Sequence, residues 1–404
     1  MYLKRHLENI IEETSGTFPV LLLTGARQTG KTTLLRHVAG NERRYVSLDA
    51  TDRRLLAKSD PRLFLQTYPP PVLIDEIQYA PELLPYIKEM ADEKHETGMF
   101  WLTGSQSFLS MKHVSESLAG RVGILQLFSL SRAEISSVPA QPFDTDANRI
   151  RGRVEKNDMP DVKEVYQRIL TGGMPAFFDR RMHRERYWNS YIQTYLERDV
   201  RDLAQVGDEI SFYRFLVSAA ARTGQMVNLN HMAEDAGVSQ PTAKRWLSVL
   251  QSSGIVYLLR PYHNNVMKRL VRTPKLYFMD TGLACHLTSW KDALTLQNGA
   301  AAGAMFETYA VSEIVKSYVH QGLLPPLFYY RDKDKVEIDL LLSEGDTLTP
   351  VEIKKSTNPG SEAVKHFAVL KRTGKRTGTG AVICMSPEVF PIDRENYRIP
   401  IGAI

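Results

Sequence analysis

FPVLLLTGARQTGKTTLLRHV, residues 18–38, decides the reading of the N-terminal third. Phe18 to Thr24 is an apolar run of strand length, and Thr33 onward has the spacing of a helix. Between them, Gly25-Ala26-Arg27-Gln28-Thr29-Gly30-Lys31-Thr32 has the glycines, lysine and hydroxyl of a phosphate loop, with Thr33 following at the helix start. Each residue type has a task there. Gly25 and Gly30 let backbone N–H groups converge on phosphates, Lys31 reaches the β- and γ-phosphates, and Thr32 offers its hydroxyl to Mg²⁺ at the positive end of the helix. Downstream, Pro71-Val-Leu-Ile-Asp75-Glu76 reads as a buried parallel strand delivering two acids beside that loop. Asp75 is expected to hold Mg²⁺ and Glu76 to activate the attacking water, which predicts ATP hydrolysis with Glu76 and Lys31 as catalytic residues.

The remainder of the chain must hold further domains, because 404 residues exceed one ordinary core. No apolar run approaches the roughly 18 residues of a membrane span, and the N-terminus lacks the apolar core of a signal peptide. Cys285 and Cys384 are far apart in sequence with no CxxC partner, which argues against a cysteine zinc site and predicts a reducing, cytoplasmic setting. A net charge of +5 permits a nucleic-acid partner without requiring one.

Further apolar runs at Tyr45 to Asp49, Met99 to Thr103 and Val122 to Phe128 alternate with helical stretches. They predict an α/β domain whose parallel sheet carries helices on both faces, with one strand between the phosphate-loop strand and the acidic one. GARQTGKTT, LIDEIQ at 73–78, LTGSQ at 102–106 and LAGRV at 118–122 together resemble the AAA+ ATPases. The resemblance is closest to prokaryotic ATP-binding proteins whose AAA domain precedes a C-terminal domain of unknown function, and it covers nearly the whole chain. It implies that Ser105 lies where a polar sensor meets the γ-phosphate and that Arg121 is a candidate charge-stabilising arginine. A turn-capping Ser105 and an acid-paired Arg121 are the plainer readings, and a finger acting on another subunit would need a homo-oligomer.

The stretch from Ala140 to Asp161, rich in Pro, Asp and Arg, reads as a surface linker. Val162 to Leu170 and Arg184 to Leu203 read as lid helices broken at Gly172-Gly173-Met174-Pro175. Tyr195-Leu-Glu-Arg198-Asp199-Val is similar to a stretch of the same family and has no assigned chemistry. Asn228 to Leu250 has the shape of a helix-turn-helix, with Asn230 and Ser239 as caps, Gly237 at the turn, Gly254 at the end and a wing strand at Ile255 to Arg260. Lys244 and Arg245 on its second helix could meet DNA, with Ala243, Leu247 and Leu250 facing the core. The same module also serves other proteins as a protein-binding surface.

In the last third, a helix from Ala304 to Val319 carries Glu307, and strands follow at Leu327 to Tyr330, Val336 to Leu342 and Pro350 to Lys354. Alternation puts Glu352 and Lys354 on one face, near Asp339 on the neighbouring strand. Two carboxylates there could bind Mg²⁺ or Mn²⁺ while Lys354 polarises water against a phosphodiester. The pattern resembles a PD-(D/E)XK nuclease, with Glu307 in its helical acidic position; Ile338 stands where the nominal motif has proline. Retention of these residues for salt bridges alone is the plainer alternative.

The expected divisions are an ATPase domain over 1–140, linker and lid over 141–210, a winged helix-turn-helix over 211–265 and a nuclease-like α/β domain over 266–404. The leading expectation is an ATPase that couples nucleotide state to a DNA-binding module with a nuclease-like site. The alternative is an ATP-dependent switch that binds a protein partner and keeps an inactive nuclease-like domain.

Overall fold

The computed structural model describes residues 2–105, 117–178, 182–195, 209–263 and 273–404. Five strands build the N-terminal sheet: β1 (Val20–Gly25), β2 (Arg44–Ser47), β3 (Val72–Asp75), β4 (Phe100–Ser105) and β5 (Val122–Gln126). They are parallel in the order β2-β3-β4-β1-β5, so β4 does separate the phosphate-loop strand from the acidic one. The near-continuous apolar sequence of β1 is explained by burial on both faces. One face packs Val20, Leu22, Ile74 and Leu102 with Phe64, Leu84 and Ile87, and the other packs Leu21, Leu23, Leu73 and Trp101 with Leu34 and Leu35. The covering helices are α1 (Glu8–Thr17), α2 (Lys31–Ala39), α3 (Thr51–Ser59), α4 (Pro61–Thr67) and α5 (Leu83–Lys94).

A short α6 (Arg132–Ile135) follows, held by a reciprocal capping box between Ser131 and Glu134. The expected linker contains a helix, α7 (Ala147–Lys156), capped by Asp146. Its few apolar residues gave weak periodicity, yet Ile150 is buried, and the partners of the helix are the last strand and final turn of the chain. Then come α8 (Val162–Thr171), a 3₁₀ turn at Pro175–Phe178, α9 (Arg184–Tyr195) and α10 (Glu209–Ala221). Arg198 and Asp199 lie outside the described residues.

The stretch expected as a helix-turn-helix forms two helices, α11 (Leu229–Ala236) and α12 (Gln240–Ser252), with Gly237 between them at φ +70°. Asn228, not Asn230, caps α11: the helix begins two residues earlier than expected, and the Asn228 side chain accepts a bond from His231 N. Ser239 caps α12, and Ala243, Trp246, Leu247 and Leu250 are buried while Lys244 and Arg245 are exposed. A three-stranded antiparallel sheet accompanies the pair, ordered β6 (Gln225–Met226), β8 (Lys275–Phe278), β7 (Val256–Leu259), and so includes a strand beyond residue 265.

Helices α13 (Thr281–Leu287), α14 (Ala293–Asn298) and α15 (Ala302–Val319) precede a mixed C-terminal sheet. Its strands are β9 (Leu327–Arg331), β10 (Glu337–Glu344), β11 (Thr347–Ile353), β12 (Arg376–Thr377), β13 (Gly380–Cys384), β14 (Phe390–Pro391) and β15 (Asn396–Pro400), ordered β14-β15-β13-β11-β10-β9 with β12 beside β11. One face of this sheet and the helices from α7 onward share a single apolar core that reaches Ala26 and Phe128 of the N-terminal unit. The nucleotide loop and the C-terminal half are thus packed as neighbours.

Candidate nucleotide site and acidic cluster

The phosphate loop runs from the carboxyl end of β1 into α2. Gly25 sits where a Cβ would lie 2.1 Å from the Leu127 carbonyl oxygen, so a side chain there would collide with backbone. Gly30, at φ +95°, is the N-cap of α2. Lys31 is buried, its ammonium donating to the carbonyls of Gly25 and Ala26 at 3.0 and 2.9 Å. Thr32 Oγ1 donates to Asp75 Oδ1 at 2.8 Å, and Asp75 also accepts from Thr103 and, at 3.0 Å, from the Tyr45 hydroxyl. Burial, then the Asp75 charge, raises the Tyr45 pKa, so the phenol stays a donor at neutral pH. A hydroxyl beside a buried carboxylate is an oxygen-only donor set that suits Mg²⁺.

Glu76 takes a left-handed backbone conformation, φ +61°, that an L-residue rarely adopts. Its N–H donates to Thr103 Oγ1 at 3.1 Å, and its carboxylate accepts from Gln78. Ser105 ends β4 directly opposite Gly25 in the sheet register; only its backbone is described, and Gln106 lies outside the described residues. Arg121 is elsewhere. It precedes β5 at the Val20 end of β1, about 17 Å of strand from the phosphate loop, and pairs with Asp92. Sheet geometry therefore rules out contact between Arg121 and a nucleotide on its own chain.

A cleft of about 940 Å³ opens on the loop, lined by Arg27, Gln28, Gly30, Lys31, Thr32, Thr33, Asp49 and Glu76. Its other wall is Pro175, Thr194 and Glu209, from the helical segments that follow the N-terminal unit. Sequence motifs gave no sign of these three, because they have no fixed spacing from the loop.

A second contact ties the loop to the C-terminal half. Arg5, buried, donates to the Thr29 carbonyl at 2.9 Å, the Phe128 carbonyl at 2.8 Å and Glu134 at 3.0 Å. Glu134 also accepts from His6 N and Ser131 N. His320, the C-cap residue of α15, accepts from Phe128 N through Nε2 and places Nδ1 3.2 Å from Glu134 without the geometry of a directed hydrogen bond. Burial alone would raise the Glu134 pKa, but the Arg5 guanidinium and the Ser131 N–H hold it well below the ordinary carboxylate range. Burial outweighs Glu134 at His320 and lowers its pKa, so the imidazole is neutral at pH 7.

The C-terminal acids do converge. Lys354 Nζ lies 2.5 Å from Glu352 and 3.4 Å from Asp339, and Asp339 accepts from Ile353 N at 3.0 Å. Burial, then the Asp339 charge, pushes Glu352 up to about 8. Burial opposes ionisation of Asp339, but Lys354 and Lys275 outweigh it and lower its pKa. Glu307 reaches the cluster through an unforeseen residue. The ammonium of buried Lys275 lies 2.6 Å from Glu337, 3.4 Å from Glu307 and 3.9 Å from Asp339, and Tyr277 donates to Glu307 at 2.6 Å. Lys275 thus pairs with Glu307 and Glu337, the latter also bridged by Arg331, leaving Asp339 and Glu352 as the carboxylates beside Lys354. Among the described residues, no group of three or more His, Cys, Asp or Glu side chains is arranged to hold a metal ion. Nor is any described helix long and apolar enough to cross a membrane.

A family profile described as an AAA domain matches residues 17–136, and two described as domains of unknown function, DUF8612 and DUF4143, match 162–294 and 302–404. The uncharacterized protein Rv2008c of Mycobacterium tuberculosis is 32% identical over 394 residues, covering 96% of this chain and 81% of that protein. The uncharacterized protein Mb2031c of Mycobacterium bovis is similar to the same extent. Among solved structures, the Walker-type ATPase PABY2304 of Pyrococcus abyssi is similar at 16% identity, over 71% of this chain and 96% of that one, with a TM-score of 0.44. The RuvB Holliday junction branch migration motor of Thermotoga maritima is similar at 20% identity, over 62% and 85%, with a TM-score of 0.30.

Proposed function

The chain belongs to the family that joins an N-terminal AAA domain to a C-terminal domain of unknown function, and on that premise we propose an ATPase that couples nucleotide state to a DNA-binding C-terminal module. The AAA-type fold supports ATP binding and hydrolysis. In this reading the backbone of Gly25 to Gly30 holds the phosphates and Lys31 leaves the loop carbonyls for the β- and γ-oxygens. Thr32 and Asp75 would hold Mg²⁺, which neutralises charge on the phosphate oxygens when bound. Glu76 orients and deprotonates water, with Ser105 as the sensor at the neighbouring strand end. Any role of Arg121 belongs to the nucleotide of another copy.

The observation that carries the coupling is the shared cleft: Pro175, Thr194 and Glu209 face Lys31 and Glu76 across it. A change at the γ-phosphate can therefore be felt directly by the helical region, and Arg5 offers a second route from the Thr29 carbonyl toward α15. The α11–α12 pair with its three-stranded sheet has the form of a winged helix, and exposed Lys244 and Arg245 on α12 suit phosphate or base contacts. The test is phosphate release by the wild type and Glu76→Gln, with and without double-stranded DNA at stated salt. A DNA-stimulated rate lost in Glu76→Gln supports the proposal; a rate indifferent to DNA favours the switch that engages a protein partner.

The contact of Asp339, Glu352 and Lys354 favours a second, compatible reading, a nuclease-like site taking Mg²⁺ or Mn²⁺. A buried carboxylate, Glu352, beside the half-buried Asp339 is an arrangement that a divalent cation stabilises, with water completing its shell. Intact plasmid, linear and single-stranded DNA after incubation with Mn²⁺ would leave the cluster a structural one.

A further inference from the structure

A separate cavity of about 690 Å³ lies between α8 and the last turn of the chain, lined by Arg132, Lys163, Arg168, Phe178, Tyr309 and Ile401 among others. Its lining carries the cations Arg132, Lys163 and Arg168 and the acids Asp158, Asp161 and Glu164. Arg132 is only 8% exposed, and its Nε donates to the main-chain oxygen of Ile404 at 3.3 Å. Arg168 Nη1 is buried with no hydrogen-bond partner among the described residues. Lys316 is buried in a small neighbouring pocket that shares Arg132, Arg168 and Tyr309 with the cavity. The buried carboxylate of that neighbouring pocket, Glu313, accepts from Lys316 at 2.9 Å and from the backbone N–H of Arg132 at 2.6 Å, so neither guanidinium is paired to it. Of the acids, Asp158 is exposed, and Asp161 and Glu164 cap α8, each accepting the other's backbone N–H. Among the described residues, buried Arg132 and half-buried Arg168 thus line the cavity with no carboxylate in a salt bridge to either, and the proximity of Arg132 to Arg168 reinforces burial in lowering the Arg132 pKa.

A guanidinium donor buried without an acceptor is costly unless an anion completes it. We propose that this cavity binds a phosphate-bearing small molecule, with Arg132 and Arg168 gripping the phosphate. The planar forks of two arginines match phosphate oxygens, and the Tyr309 ring and Phe178 offer an apolar wall to whatever the phosphate carries. The volume falls in the range of small-molecule sites, about 300–1,000 Å³. The cavity is distinct from the ATP cleft yet joined to it: in the 3₁₀ turn Pro175–Phe178, Pro175 lines the cleft and Phe178 lines the cavity. Occupancy would press on the wall opposite Lys31, which makes the cavity an effector site for the ATPase unit.

The test uses the full chain carrying Lys31→Ala, so that the phosphate loop contributes no binding, titrated calorimetrically with AMP, ADP and inorganic phosphate. One site should remain, and adding Arg168→Gln should weaken it tenfold or more, with Arg168→Lys intermediate because it keeps the charge and loses the fork. AMP binding more tightly than phosphate would identify a nucleotide-like ligand, and equal affinities a free phosphate; both support the site. Unchanged melting of the Arg168 variants separates lost binding from lost folding, and should they melt early, protection of Arg168 from phenylglyoxal by AMP in the Lys31→Ala chain decides instead. No binding by any of the three ligands, binding indifferent to Arg168→Gln, or absence of that protection would overturn the proposal.

Discussion

Glu134→Ala should be among the most damaging single substitutions in the chain. The carboxylate has no exposed side-chain area and faces Arg5, whose side chain is 4% exposed. Its removal leaves a buried guanidinium uncompensated and two backbone donors, His6 N and Ser131 N, without their acceptor. Breaking one partner of a buried pair costs about 3–5 kcal/mol, and the orphaned donors act in the same direction without adding fully. Because Arg5 also holds the Thr29 carbonyl of the phosphate loop, ATP affinity should fall along with stability. Urea denaturation followed by tryptophan fluorescence, alongside titration with a fluorescent ATP analogue, measures both. The double variant Arg5→Met/Glu134→Leu removes both charges and should lose less stability than Glu134→Ala. A Glu134→Ala chain within about 1 kcal/mol of the wild type, or a double variant worse than the single, would refute the reasoning.

The same cluster sets an acid limit. His320 has its folded pKa below 6.5, so the unfolded chain takes up its proton first and stability falls as pH drops below 6.5. Glu134, depressed below 4.5, contributes stability that is fully present above that value and lost as pH falls through its folded pKa. His320→Gln should flatten the stability slope between pH 6.5 and about 5 by up to one proton's worth, checked by denaturant midpoints across pH. Gly25→Ala should abolish nucleotide binding and lower the melting temperature, since the new Cβ meets the Leu127 carbonyl at 2.1 Å; wild-type affinity for the ATP analogue would contradict it. Lys244→Ala and Arg245→Ala should weaken DNA binding and reduce the salt slope by about 1 each if they contact phosphates, read by fluorescence anisotropy at several salt concentrations.

What the sequence determined was local. Gly25, Gly30, Lys31 and Thr32 are a contiguous phosphate loop because backbone conformation and hydrogen-bond geometry over a few residues demand those types. Ser239 and Gly237 mark the helix-turn-helix for the same short-range reason, and alternation placed Glu352 beside Lys354. Tertiary structure decided the partners. Glu134 meets Arg5 and His320 only because α6, the segment before α1 and the end of α15 come together, and Lys275 enters the acidic cluster because β8 lies against α15 and the C-terminal sheet. Pro175, Thr194 and Glu209 reach the ATP cleft by the same packing. Such contacts join segments far apart in the chain, where neither periodicity nor motif spacing constrains the pairing. Burial of a shared apolar core fixes the distances, and the charges caught inside it then select their partners by the cost of leaving any of them alone.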